Sequence, residues 1–175
     1  MKKLITLMLV VLATIGCSKE DVPTATPETP DPNAMKIFNT TTGAEIKDGD
    51  VIVFTSLVEP GNKLSFYVKN AGSTDMNVRS RLVSILNGDG SNMQYCFGIN
   101  CFNSVGEGLT YPTNNHELVT VPANSSLGSG AFKMENFAAP TNGATVADYV
   151  FEFYQHDAQM NEVGNKVRFT YRYQP

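Results

Sequence analysis

The 175-residue chain has no tryptophan, two histidines and three cysteines, and nowhere shows the 3.6-residue apolar period of a helix. Each scarcity removes a class of function. Without tryptophan, the commonest stacking platform for sugars is missing. His116 and His156 each stand alone in polar sequence, so neither belongs to a zinc motif. His156 beside Asp157 reads as a surface histidine, because adjacent residues point apart. There is no G-x-S-x-G, H-E-x-x-H, P-loop or dinucleotide fingerprint, which leaves no catalytic residue, metal or cofactor to name. Lysine and arginine number 13 against 17 acidic residues and form no cluster. That balance argues against nucleic acid and against charge-driven docking on an anionic membrane. The longest apolar run, Leu4–Ile15, falls short of the ~20 residues that span a bilayer.

What is present begins with that run. Lys2-Lys3 precede it, and Gly16-Cys17 and the charged Ser18-Lys19-Glu20-Asp21 follow, the layout of a secretory signal. The junction resembles the lipobox of bacterial lipoproteins, although Thr14 stands where that pattern usually has leucine. The resemblance implies that residues 1–16 are removed and that Cys17 becomes the lipidated first residue. Two or more acyl chains then hold the protein on the membrane. Losing Lys2 and Lys3 leaves 11 basic against 17 acidic residues, a formal charge of −6. With Cys17 lipidated, Cys96 and Cys101 remain as a pair in an oxidising compartment. A disulfide is the default there, with free thiols or metal use as alternatives.

Residues 17–34 form a tether rich in Pro, Thr and acid. Pro23, Pro27, Pro30 and Pro32 favour polyproline II, and at ~3.1 Å per residue the segment reaches about 50 Å. It reads as disordered in the sense of having no core of its own. Glu20-Asp21 resemble the acidic export signal of surface lipoproteins of the Bacteroidetes, or simply open a solvated linker.

From residue 35 to 175, short apolar runs alternate with turn residues, predicting about eight or nine strands. Strands are expected at Lys36–Thr40, Val51–Val58, Lys63–Asn70, Met76–Leu86, Met93–Phe97, Glu117–Val121, Ala131–Met134, Asp148–Tyr154 and Lys166–Gln174. Leu64, Phe66 and Val68 share one face. In Met76–Leu86 the inward set Met76, Val78 and Ser80 changes phase, which predicts a bulge near Arg81 or burial of both faces. Asn87–Asn92 lacks the Gly and Glu of a calcium loop and reads as a hairpin turn. Pairing the last two strands antiparallel with Phe151 opposite Phe169 sets Glu152 against Arg168 and Asp148 against Arg172. Gln155–Asn165 is then a long connecting loop.

Gly98 and Asn100 tolerate positive φ, so Cys96 and Cys101 can face each other across a tight turn. Closing it restricts the unfolded chain by about 2 kcal/mol. Phe97, Ile99 and Phe102 either plug the core or form an exposed knuckle. Tyr67, Tyr95 and Tyr154 are further candidates for outward-facing rings.

These patterns predict an all-β, antiparallel Ig-like sandwich. Phe66–Asp75 resembles the strand-turn that opens many bacterial Ig-like domains. The cysteine hairpin resembles one in small β-sandwich modules of secreted and lipid-anchored Bacteroidetes proteins. The resemblance implies fold and habitat and carries no catalytic residue. The reading is a non-enzymatic module, lipid-anchored on the outer membrane and facing the cell surface or the periplasm. It would display loops to a protein or glycan. The expected contact surface is the hairpin with Ser104–Asn115, and the expected contact residues are Phe97, Ile99, Phe102 and Tyr111. The alternative is a structural subunit of a secretion or polysaccharide-uptake complex, and a hydrolase is least supported. An exposed edge strand or apolar patch would favour the subunit, and a concave aromatic groove would favour glycan.

Overall fold

The computed structural model describes residue 31 and residues 33–175. The expected signal peptide, Cys17 and most of the tether lie outside the described residues. From Met35 onward, short β-branched and aromatic runs form strands wherever alternation gives one apolar face. They are β1 (Met35–Asn39), β2 (Glu45–Ile46), β3 (Val51–Phe54), β4 (Lys63–Asn70), β5 (Met76–Leu86) and β6 (Met93–Phe97). The chain continues with β7 (Asn100–Phe102), β8 (Thr110–Tyr111), β9 (Val119–Val121), β10 (Ser126–Asn136), β11 (Ala147–His156) and β12 (Glu162–Tyr173). One sheet runs β2-β1-β4-β10-β6-β7 and the other β3-β12-β11-β5-β8, with β9 beside β5. The two pack their apolar faces together as an all-β, Ig-like sandwich. Its pairings are antiparallel except that β3 runs parallel to β12.

The core is aromatic. Leu64, Phe66 and Val68 of β4 point in, and meet Phe151, Phe153 and Phe169 from the facing sheet. Phe66 and Phe97 both set their rings edge-on to Phe153, at 5.4 and 5.5 Å between centroids. Each such pair contributes about 0.5–1.5 kcal/mol beyond area burial. The β11–β12 register places Phe151 opposite Phe169, Glu152 opposite Arg168 and Asp148 opposite Arg172, as the alternation requires. The phase change in β5 falls at Val83, where Val150 pairs with Ser84 and Phe151 with Leu82.

Four expectations are corrected. Asn87–Asn92 is not a hairpin turn. It carries the chain from β5 in one sheet to β6 in the other, through a 3-10 turn at Gly90–Asn92 capped by Asp89. The run Val51–Val58 is strand only to Phe54, since Ser56 and Pro60 turn the chain back toward β4. Gln155–Asn165 is mostly strand, because β11 and β12 extend past a bulge that shifts their register after Tyr154. Its turn is Asp157–Asn161, built on the Asp157 carboxylate. His156 is buried, its Nδ1 2.9 Å from the Asp157 carbonyl oxygen.

The edges differ in character. β2 carries Glu45, β7 is a stub tied by a disulfide, and β8 and β9 each run directly into a proline. β3 has no charge, proline or bulge within it, and Val51 and Val53 are 47% and 51% exposed.

Candidate binding surface

The hairpin β6–β7 turns at Gly98-Ile99, with Gly98 at φ +74°. A side chain at Gly98 would meet the Glu117 carboxylate and Val119, so glycine lets the tip lie against the β8–β9 connection. Asn100 Nδ2 donates to Glu117 Oε2 at 2.5 Å and fastens the tip there. Cys96 and Cys101 are directly opposed, Cα atoms 4.0 Å apart, and bonded as a disulfide. Because Tyr95 and Phe97 point inward, the disulfide lies on the outer face of its sheet.

The four expected contact residues separate. Phe97 and Tyr111 are core residues, and this corrects their assignment as contact residues: in the folded domain they have no surface to offer. Phe97 packs on Tyr95, Phe132 and Phe153. Tyr111 stands edge-on to Tyr95, and its hydroxyl accepts from the Gly106 N–H at 3.0 Å. Phe102 is half-buried against Tyr111. Ile99 alone is fully presented, 91% exposed at the tip. The segment 104–115 is likewise anchored. Val105 is buried, and the buried Arg79 donates to Asn115 Oδ1 at 2.8 Å and to the Pro112 carbonyl.

The expected outward rings are also placed. Tyr95 is buried, and burial pushes its phenol well above the ordinary range. It stays neutral, sharing a 2.5 Å hydrogen bond with Ser80. Tyr154 lies on the outer face, but Arg81 covers its ring at 5.2 Å. Tyr67 is half-buried and stacked on Phe38.

Ile99 does not stand alone. Beside it is an open cleft of about 310 Å³ floored by the buried Val119 and Phe132 and rimmed by Ala131, Leu118 and Leu127, the two leucines 55% and 37% exposed. Among the described residues, no charged side chain lines it. The cleft exists because β10 breaks register between Leu127 and Phe132, where four residues oppose the single Tyr67 of β4. Gly128 sits over the Phe132 ring at φ +103°, and a Cβ there would come within 2.1 Å of that ring. Beyond the break, only Lys133–Asn136 of β10 pairs with β6, so among the described residues Ser126–Phe132 has no strand neighbour on that side. Leu118, Leu127 and the bulge were absent from the sequence-based site, since nothing local announces that two strands diverge there.

Among the described residues, no group of three His, Cys, Asp or Glu side chains could hold a metal ion. A second open cleft, about 290 Å³, carries two carboxylates, Glu45 and Asp48. Both are engaged, Glu45 with Lys36 at 3.6 Å and Asp48 with the Arg168 N–H at 2.8 Å.

The chain matches no protein-family model and no curated protein. Solved structures with a similar fold include the N-terminal domain of PorA, 18% identical, with 79% of this chain and 96% of that one covered at a TM-score of 0.49. The YadV chaperone is 12% identical, with 81% of this chain covered at a TM-score of 0.40, and the match spans about half of that chain, 52%. An ASH/PapD-like domain of human CEP192 is 16% identical, with 97% and 96% covered at a TM-score of 0.40. Likeness at this level concerns the β-sandwich fold alone.

Proposed function

We propose that this chain is a lipid-anchored, non-enzymatic β-sandwich of the outer membrane that holds apolar side chains of a protein partner in the cleft beside the Cys96–Cys101 hairpin. The observation that carries the reading is the grouping of Ile99, Leu118 and Leu127 around one uncharged cleft. Isolated surface aliphatics are ordinary, but a contiguous group with a concavity between them marks an interaction site. Filling the cleft with one aliphatic side chain while covering Ile99 removes enough apolar surface to stabilise a complex by about 1.5–3 kcal/mol per buried residue. On the side away from β4, the backbone of Ser126–Phe132 has no strand partner among the described residues and supplies polar groups that an extended partner can satisfy. A protein fits this surface better than a glycan, since the cleft presents no exposed aromatic face. Attachment through Cys17, with the tether as spacer, rests on the lipobox resemblance and the signal-like residues before it.

A photo-cross-linking residue at Ile99, in cells expressing the full chain, tests the reading. We expect a discrete adduct that disappears when Leu127→Asp is added. A probe at Phe137, exposed in the β10–β11 loop, should give none. Equal labelling from both positions, or an adduct indifferent to Leu127→Asp, would overturn the cleft as the contact.

A further inference from the structure

The edge formed by β3 lies apart from the hairpin cleft, in the other sheet from β10 and β6. Sheet edges are ordinarily blunted by charge, proline, bulges or brevity, and β3 has only its brevity. Its backbone polarity is fixed by two bonds to the β12 side: Thr170 N–H donates to the Asp50 carbonyl and Gln174 N–H to the Phe54 carbonyl, each at 2.8 Å. Successive residues of a strand point their N–H and C=O to opposite sides. Asp50, Ile52 and Phe54 therefore face β12, and Val51 and Val53 direct both backbone groups outward. The same two residues carry the exposed side chains.

This edge is complementary to itself. We infer that a second copy of the chain adds to it antiparallel about a two-fold axis, with Val51 opposite the partner's Val53 and Ile52 opposite the partner's Ile52. In that register all the outward N–H and C=O groups of Val51 and Val53 in both copies are paired, and the four valines form one apolar cluster on the outer face. No like charges oppose one another. Asp50 falls against the partner's Phe54, and Asp48 against the partner's Ser56. Arg172, which flanks Val53 in the sheet, is already held by Asp148 at 2.7 Å. A register one residue away would set outward groups against inward ones, so the pairing is specified by the backbone as well as by the side chains. The contact is small beside the ~1,200 Å² of a stable interface, so the dimer is transient and is best read by trapping it.

Disulfide trapping in cells expressing the full chain tests the register itself. Ile52→Cys places two cysteines across the axis in a pair with Cα atoms about 4.5 Å apart, within disulfide reach. Val53→Cys lies about 7–8 Å from its own equivalent, beyond reach. Under a mild oxidant, I52C should give a covalent homodimer about tenfold more abundant than V53C, although Val53 is the more exposed position. Adding Val53→Lys to I52C should abolish it. If I52C fails to fold, co-expressed V51C and V53C, about 5.5 Å apart, must cross-link instead. Random collision predicts the reverse order, with V53C above I52C, and would overturn the proposal. So would the absence of any dimer, or an I52C adduct with a different protein.

Discussion

Glu152 lies on the outer face of β11 with almost no access to water, between two guanidinium groups. Arg168 donates through Nε at 3.0 Å and Nη2 at 2.5 Å to one carboxylate oxygen, and Arg81 bonds the other. Desolvation is the largest single influence on its pKa and acts upward, yet Arg168 and Arg81 together outweigh it and hold the carboxyl below 4.5. A carboxylate depressed by folding contributes stability that is complete above its unfolded value and is lost as pH falls through the folded one. Acid unfolding of the domain should therefore begin below about pH 4.5, and Glu152→Gln should flatten the pH dependence there while lowering stability near neutrality. A stability–pH slope below 4.5 unchanged in Glu152→Gln would contradict this. Phe97 and Ile99, two residues apart, separate packing from presentation. Phe97→Ala should cost about 3–5 kcal/mol in denaturant unfolding without touching any surface. Ile99→Asp should change stability by no more than about 0.5 kcal/mol while weakening partner binding tenfold or more. Equal melting temperatures for the two variants would contradict their placement. The sequence could not make this distinction, because which residue of Cys96–Phe102 faces inward depends on where the hairpin turns.

Strands with regular alternation were legible, and a break was legible only where it changed the parity of apolar residues. The β11–β12 pairing follows from its residues, since aromatic rings on one face and opposite charges on the other are compatible with a single register. The phase change in β5 was visible as a change of parity and lies two residues from its expected position. The two-residue strands β2 and β8 carry too few residues to show a period. The β10 break is set by divergence from β4, a tertiary event. At this scale glycine is decisive. Gly128→Ala would put a methyl group into the Phe132 ring at a backbone angle that disfavours any side chain. It should destabilise the domain by more than about 1 kcal/mol and close the cleft, seen together as a lower melting temperature and loss of the Ile99 adduct. Full stability in that variant would show that the bulge relaxes freely. Removing the disulfide with Cys96→Ala and Cys101→Ala releases a loop closed over a separation of five residues and should cost about 2 kcal/mol.

Across the described residues, the two sheets bury one aromatic core, and strand edges stay open where pairing stops: the β10 break beside the hairpin, and the β3 edge. The cleft is apolar and β3 is an open edge, the features that favour protein contacts over a glycan groove. Such contacts would suit the membrane attachment proposed for the chain. A module so held would meet its partners at high local concentration, at which small contacts suffice. Attachment through Cys17 is the central proposal about where the protein acts. Its direct measurement is fractionation and protease shaving of intact cells expressing the full chain, wild type beside Cys17→Ala. The expected result is wild-type protein in the outer-membrane fraction and Cys17→Ala released into the soluble fraction, with susceptibility to added protease assigning the cell-surface or periplasmic face. Retention of Cys17→Ala in the membrane at the wild-type level would contradict lipid anchoring through that residue.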